Sequence, residues 1–172
     1  MTHEERVAVF DRLRNRYLGF LTAVLWRLTG DRELFAEAMQ YALMGLWRHV
    51  EKLEGEKAPS YLYRIALSAN AKAWRQRIGR DGDLAADSAG SEAGPETRMH
   101  RVDLLARVRQ TIARLPNKQG RAVVMRYFDQ KDYASIAADL GCSEAAARSH
   151  VSKAVATLRG RLAPREELGI RP

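Results

Sequence analysis

Apolar residues recur along this chain at intervals of three and four, and stretches alternating with a period of two are nearly absent. Val9, Leu13, Tyr17, Phe20, Leu21, Val24, Leu25 and Leu28 share one stripe of a helix that the Thr29-Gly30 pair should end. Asp31 is placed to cap a second helix reaching about Glu51, with Leu34, Phe35, Ala38, Ala42, Leu46 and Val50 turned inward. After the loop "EGEKAPS", Pro59 and Ser60 open a third helix through Tyr61, Leu62, Ile65, Ala66, Ala69 and Trp74. The pattern then lapses. "GRDGDLAADSAGSEAGPE", residues 79–96, holds Leu84 as its only large apolar residue and reads as a flexible, solvated linker. Helical spacing returns with Val102, Leu105, Val108, Ile112 and Leu115 and stops at Pro116. Asn117 is expected to cap the next helix, and Asp132 the one after it. The expectation is an all-α chain of two helical domains, residues 1–78 and 97–172, joined by the linker.

The most informative stretch is "YASIAADLGCSEAAARSHVSKAVATLR". Tyr133, Ile136, Ala137 and Leu140 form the inner face of a short helix, and Gly141 suits the left-handed position that ends it. Ser143 suits the N-cap of a second helix, whose stripe of Ala147, Val151, Ala154 or Val155, Leu158 and Leu162 faces inward. Its other face carries Glu144, Arg148, Ser149, Ser152 and Lys153. Helix, glycine turn, and a second helix with a small and basic outer face make a helix-turn-helix. In that motif the start of the second helix meets base edges in the major groove. An ordinary helical hairpin would share the small alanines and the capped turn. Charge favours DNA: from residue 141 to 165 the only acid is Glu144, against Arg148, Lys153, Arg159, Arg161 and Arg165.

Composition narrows the picture further. A net charge of +8 over 172 residues favours a polyanionic partner, nucleic acid before an anionic membrane surface. No apolar run approaches the length that spans a bilayer, and "MTHEERVAVF" lacks the basic start and apolar run of a signal peptide. One cysteine, Cys142, excludes an internal disulfide and a multi-Cys zinc site, and is expected to be a small buried filler. His3, His49, His100 and His150 lie far apart without ligand spacing, so neither metal nor cofactor is expected. The sequence has no Gly-rich phosphate loop, nucleophile elbow or HExxH helix, and nothing in it argues for an enzyme.

The segment "LARVRQTIARLPNKQGRAVVMRYFDQKDYASIAADLGCSEAAARSHVSKAVATLRGRL" resembles region 4 of bacterial RNA polymerase sigma factors. The resemblance rests on Leu115-Pro116, Arg121, Tyr133, Ile136-Ala137, residues 140–143, Arg148-Ser149 and Leu158-Arg159. The N-terminal half is similar to region 2 through "RLTGDR", "LWRHV" and "YLYRIA". Two such regions joined by a linker resemble the extracytoplasmic-function group of the sigma-70 family. The resemblance implies a cytoplasmic bacterial protein that binds core polymerase, through its clamp helices and flap, and promoter DNA. It further implies recognition of the −35 and −10 elements and opening of the latter, with an anti-sigma factor or a regulatory kinase as a further partner.

Residue by residue, the −35 contacts would fall on Ser143, Glu144, Ala145, Arg148, Ser149, Ser152 and Lys153. The −10 contacts would fall on Tyr61, Arg64, Ser68, Lys72 and Arg75, on an acid-free span that runs from residue 64 to 80. Ser68 stands where the family often has Asn. Trp26, Trp47 and Trp74 are read as core residues. The larger departure is "LFAEAMQY", where the family carries an acidic face that docks on polymerase. Leu34, Ala36, Glu37 and Tyr41 occupy the four acidic places; only Glu37 keeps its charge, and Gln40 keeps its amide. Weak docking is expected unless another negative group substitutes, or unless the partner surface has adapted through apolar contacts. Phosphate on Ser60 or Thr29 would supply such a group. A helix-turn-helix regulator acting without polymerase, and a decoy that titrates an anti-sigma factor, are the alternatives.

Overall fold

The computed structural model describes residues 1–53, 58–84 and 96–162, and the side chains of all these except 59, 80–84 and 96–102. Every element in it is helical: α1 (His3–Thr29), α2 (Arg32–Arg48), a 3-10 turn (Val50–Lys52), α3 (Ala58–Leu84), α4 (Glu96–Ala113), α5 (Asn117–Tyr127), α6 (Tyr133–Leu140) and α7 (Glu144–Leu162). Local chemistry sets many of the ends. At the start of α1 the Glu5 amide donates to Thr2 Oγ1 at 3.2 Å and the Thr2 amide donates to Glu5 Oε2 at 2.7 Å, a reciprocal cap that the apolar stripe alone does not reveal. Gly30 ends α1 in the left-handed conformation at φ 64°, and Asp31 then accepts from the Leu34 amide at 2.8 Å. That amide, helped by Arg77, holds the Asp31 carboxyl below its ordinary range.

Helices α1, α2 and α3 enclose one core, in which Leu21, Leu25, Leu28, Leu34, Leu46 and Leu53 are all but inaccessible. Small residues let α2 and α3 approach closely. Ala38, Ala42, Ala66 and Ala73 are fully buried, and a Cβ on Gly45 would lie 3.0 Å from Ile65 Cγ2. Helices α5, α6 and α7 form the second core from Val123, Val124, Met125, Ile136, Leu140, Ala147, Val151 and Ala154. Each buried leucine stabilises its unit by about 1.5–3 kcal/mol relative to exposure.

Several expectations are corrected. Helix α2 stops at Arg48 and a 3-10 turn covers residues 50–52. Asn117 is no cap: Pro116 holds the cap position without a side-chain hydrogen bond, and Asn117 is already the first helical residue. Residues 79–84 belong to α3 and not to a linker. Extending an established helix adds one hydrogen bond per residue, which offsets about 1 kcal/mol for a glycine such as Gly79. Residues 85–95 of the expected linker lie outside the described residues. Trp26 is half exposed at 50%, edge-on to Phe35, while Trp47 and Trp74 are only partly buried. Leu105, on the expected apolar stripe of α4, is 51% exposed.

The two helical units also touch. Helix α3 packs against α4, α5 and α6, and α1 packs against α4.

Candidate nucleic-acid interface

The turn between α6 and α7 is built as its residues dictate. Asp132 caps α6 by accepting from the Ser135 amide at 2.7 Å, and the Ser135 contacts keep the Asp132 carboxyl below its ordinary range. Gly141 closes α6 at φ 61°, and the Ala146 amide donates to Ser143 Oγ at 3.2 Å, which caps α7. Cys142 is half-buried against the core, as a small filler would be. With Ala147, Val151 and Ala154 buried, α7 turns Ser143, Glu144, Ala145, Arg148, Ser149, Ser152 and Lys153 to solvent together. Arg148 pairs with Glu144 one turn earlier, and its guanidinium lies 4.8 Å from the centre of the Tyr133 ring. Those contacts tie the Arg148 guanidinium to Glu144 and to the Tyr133 ring of α6.

The second basic face is tertiary. Arg64, Ser68, Lys72 and Arg75 are exposed along one line of α3. Beside them α2 contributes Tyr41, Met44 and Arg48, its C-cap contributes His49, and together with α3 they enclose a groove of 160 Å³. Arg64 lies 4.6 Å from the Tyr61 ring centre and Lys72 4.1 Å from that of Tyr41, so both cations rest on aromatic faces. Burial, followed by Arg64, Lys52 and Arg48, pushes the His49 imidazole below its ordinary pKa. Arg48 and His49 were not among the residues expected here. Their position at the end of α2 becomes meaningful only once that helix lies against α3. Arg77, by contrast, pairs with Asp31 at 3.0 Å and ties the end of α3 to the start of α2. Tyr63 is a core residue, edge-on to Phe20 with ring centres 4.9 Å apart.

The acid-poor face of α2 is narrower than expected. Leu34 is 1% exposed and is removed from the docking surface, because the first turn of α2 packs into the three-helix core. Tyr41 turns toward α3, where its hydroxyl donates to Gln76 Oε1. Ala36 and Gln40 are exposed and Glu37 is half-buried, so these three remain at the surface of the helix. Of the two candidate hydroxyls, Thr29 is corrected: it is 3% exposed and donates to the Leu25 carbonyl at 2.9 Å, inside the last turn of α1. Ser60 is half-buried, donates to the Asp139 carbonyl and accepts from Arg121.

Residues 13–78 match the family model for sigma-70 region 2, and residues 105–158 match that for sigma-70 region 4. The chain belongs to the sigma-70 family, in its extracytoplasmic-function group. It is similar to the RNA polymerase sigma-H factor of Pseudomonas aeruginosa, 29% identical over 157 residues that cover 84% of this chain and 81% of that protein. It is similar also to the ECF RNA polymerase sigma factor SigL of Mycobacterium tuberculosis, at 29% identity with 86% of each chain covered. The ECF RNA polymerase sigma-E factor of Haemophilus influenzae is 26% identical over 90% of this chain and 88% of its own. As a sigma factor, the chain is a transcription initiation factor whose partners are core RNA polymerase and promoter DNA. The α7 face therefore lies in region 4 of this sigma factor, and the α2–α3 groove in region 2. No helix among the described residues is long and apolar enough to cross a membrane.

Proposed function

We propose that this sigma factor reads the −35 element with the outer face of α7 and the −10 element with the basic line of α3, and that it acts by binding alone, without catalysis. The observation that carries the reading is the pair of outward basic faces, one on each helical unit, at Arg148 and Lys153 and at Arg64, Lys72 and Arg75. Ser143, Glu144, Ala145, Ser149 and Ser152 are small or short enough to let the backbone of α7 approach base edges. Tyr61, half-buried beside Arg64, offers a ring face to an unstacked −10 base, and Ser68 lies between the cations.

Core polymerase docks on two surfaces in this reading. Its clamp helices meet the Ala36, Glu37 and Gln40 face of α2, and its flap meets an apolar cleft of 330 Å³ lined by Val108, Val124, Tyr127, Phe128, Val155 and Leu158. With Glu37 alone keeping its charge among the four acidic places of the family, docking is weak and an added charge strengthens it. Ser60 is the remaining candidate for phosphorylation, and either a kinase or an anti-sigma factor controls the exchange in the cytoplasm. The test is run-off transcription by purified core enzyme on a candidate promoter, with the chain unmodified and as Ser60→Glu. Specific transcripts that need the chain support the reading. Tight −35 binding with no association to core would replace it with a helix-turn-helix regulator that works without polymerase.

A further inference from the structure

The groove between α2 and α3 holds more positive charge than the basic line of α3 supplies. Arg64 and Lys72 line it from α3, Arg48 and His49 from the end of α2, and no acidic residue lines it at all. Arg64 and Lys72 rest on the rings of Tyr61 and Tyr41, which hold the two cations without neutralising them. Neither they nor Arg48 form an ion pair with an acid among the described residues. Cations gathered in this way repel one another, and an anion seated among them removes the repulsion. At 160 Å³ the groove falls below the size of about 300 Å³ at which drug-sized ligands fit, so it suits a phosphate group and not a whole nucleotide.

His49 is the lining group whose charge can change near neutral pH. It is half-buried at the C-cap of α2. Among the described residues, the charged groups that face it are all cations: Arg64 across the groove on α3, and Lys52 and Arg48 in its own stretch of chain. Its ring neighbour is Tyr61 of α3, with centres 6.3 Å apart and planes tilted by 48°. Tyr41 and Lys72 line the rest of the groove. Burial, followed by the three cations, holds the imidazole in its neutral form at pH 7.

We propose that this groove seats one backbone phosphate of single-stranded −10 DNA, and that His49 takes up a proton from solvent as the phosphate enters. This seat rests on the promoter reading above and adds Arg48 and His49 to its residues. The phosphate oxygens accept from Arg48, Arg64 and Lys72, and their charge cancels the repulsion that kept a proton off His49. The imidazolium N–H then donates to the same phosphate. One proton passes from the buffer to the ring, so the complex holds one proton more than its separate parts. Affinity for the strand therefore rises as pH falls from 8 toward 6, by at most about tenfold per pH unit.

The test uses the full-length chain bound to core polymerase and a fluorescent single strand carrying the −10 element, at constant salt. From pH 8 to pH 6 the wild-type complex should bind the strand roughly tenfold more tightly. His49→Gln should bind as wild type does at pH 8 and keep only the pH slope that polymerase itself contributes. His49→Lys, whose charge is permanent over this range, should bind tightly at both pH values. Circular dichroism of each variant at both pH values keeps unfolding out of the comparison. Replacing the strand's phosphates one at a time by neutral methylphosphonate should find one linkage whose loss abolishes the wild-type slope. Equal slopes in wild type and His49→Gln would overturn the seat, as would a slope that no single linkage carries. The promoter reading is tested separately by Arg64→Ala with Lys72→Ala. If that pair binds the strand as wild type does, the reading fails and the seat with it; if the pair weakens binding while the pH slopes stay equal, the seat alone fails.

Discussion

The basic face of α7 and the basic line of α3 carry similar charge but are made differently. The α7 face is assembled within one helix-turn-helix: Asp132, Gly141 and Ser143 fix the turn, and Arg148 is engaged by Glu144 one turn earlier and by Tyr133 of α6. The α3 line owes its shape to another helix, since Tyr41 supports Lys72 and Arg48 with His49 forms the far wall of the groove. A face built around its own turn depends chiefly on the caps of that turn. A face shared by two helices depends on the whole three-helix core behind it.

The sharpest way to break the comparison is to strip each face in turn. Arg148→Ala with Lys153→Ala should weaken −35 duplex binding by roughly 10- to 100-fold, and should flatten the slope of log affinity against log salt by about one for each phosphate left unneutralised. Substituting Glu144 or Ala145 should shift sequence preference instead, because these residues sit at the start of the helix. A competition assay over salt concentration and base identity separates the two, and unchanged binding by the double variant would remove α7 as the reader. The matching pair on α3, Arg64→Ala with Lys72→Ala, should cost roughly tenfold in binding of a −10 single strand by the polymerase complex, with −35 binding untouched.

Stability variants sharpen the distinction at smaller scale. Ser143→Ala removes the α7 cap and should lower the stability of region 4 by about 1 kcal/mol. The same substitution should also blunt −35 affinity, because cap and reading face are contiguous. Ala42→Leu, which forces α2 from α3, should cost about 1–3 kcal/mol and disturb only the α3 groove. Chemical denaturation followed by binding to each half of the promoter would report both.

The smallest effect is a pH dependence. The folded chain holds the His49 pKa below that of the unfolded chain, chiefly through burial, so the unfolded state takes up a proton first as pH falls. The stability that this group supplies is complete above about pH 6.5 and declines as pH drops from there toward the folded value. Thermal melting at pH 7.5 and 5.5 should show a shallow loss in wild type that His49→Gln reduces. An equal slope in both proteins would place its origin elsewhere.

Much of this protein could be read from local rules. The Gly30 and Gly141 ends, the Asp31, Asp132 and Ser143 caps and the inner stripes of α1 and α7 follow from residues within one or two turns of each other. Other readings failed where a distant neighbour decided. Leu34 occupies an acidic place of the family pattern yet lies in the core, because α1 and α3 close over the start of α2. Thr29 offers a hydroxyl in sequence and hides it against Leu25. Trp26 is apolar enough for a core but stays half exposed, with its ring edge-on to Phe35.

The sequence by itself determined the order of the helices, the Asp31, Asp132 and Ser143 caps, the two-unit order and the helix-turn-helix, since each follows from short-range periodicity, backbone preference and charge. Only the tertiary structure decided which residues of α2 are left at the surface, which of them wall the α3 groove, and that Arg121 lies buried between the units against Ser60 and Asp139. Burial and long-range hydrogen bonding depend on which faces meet across 60 or more residues of chain, and helical periodicity gives only the face, not its partner.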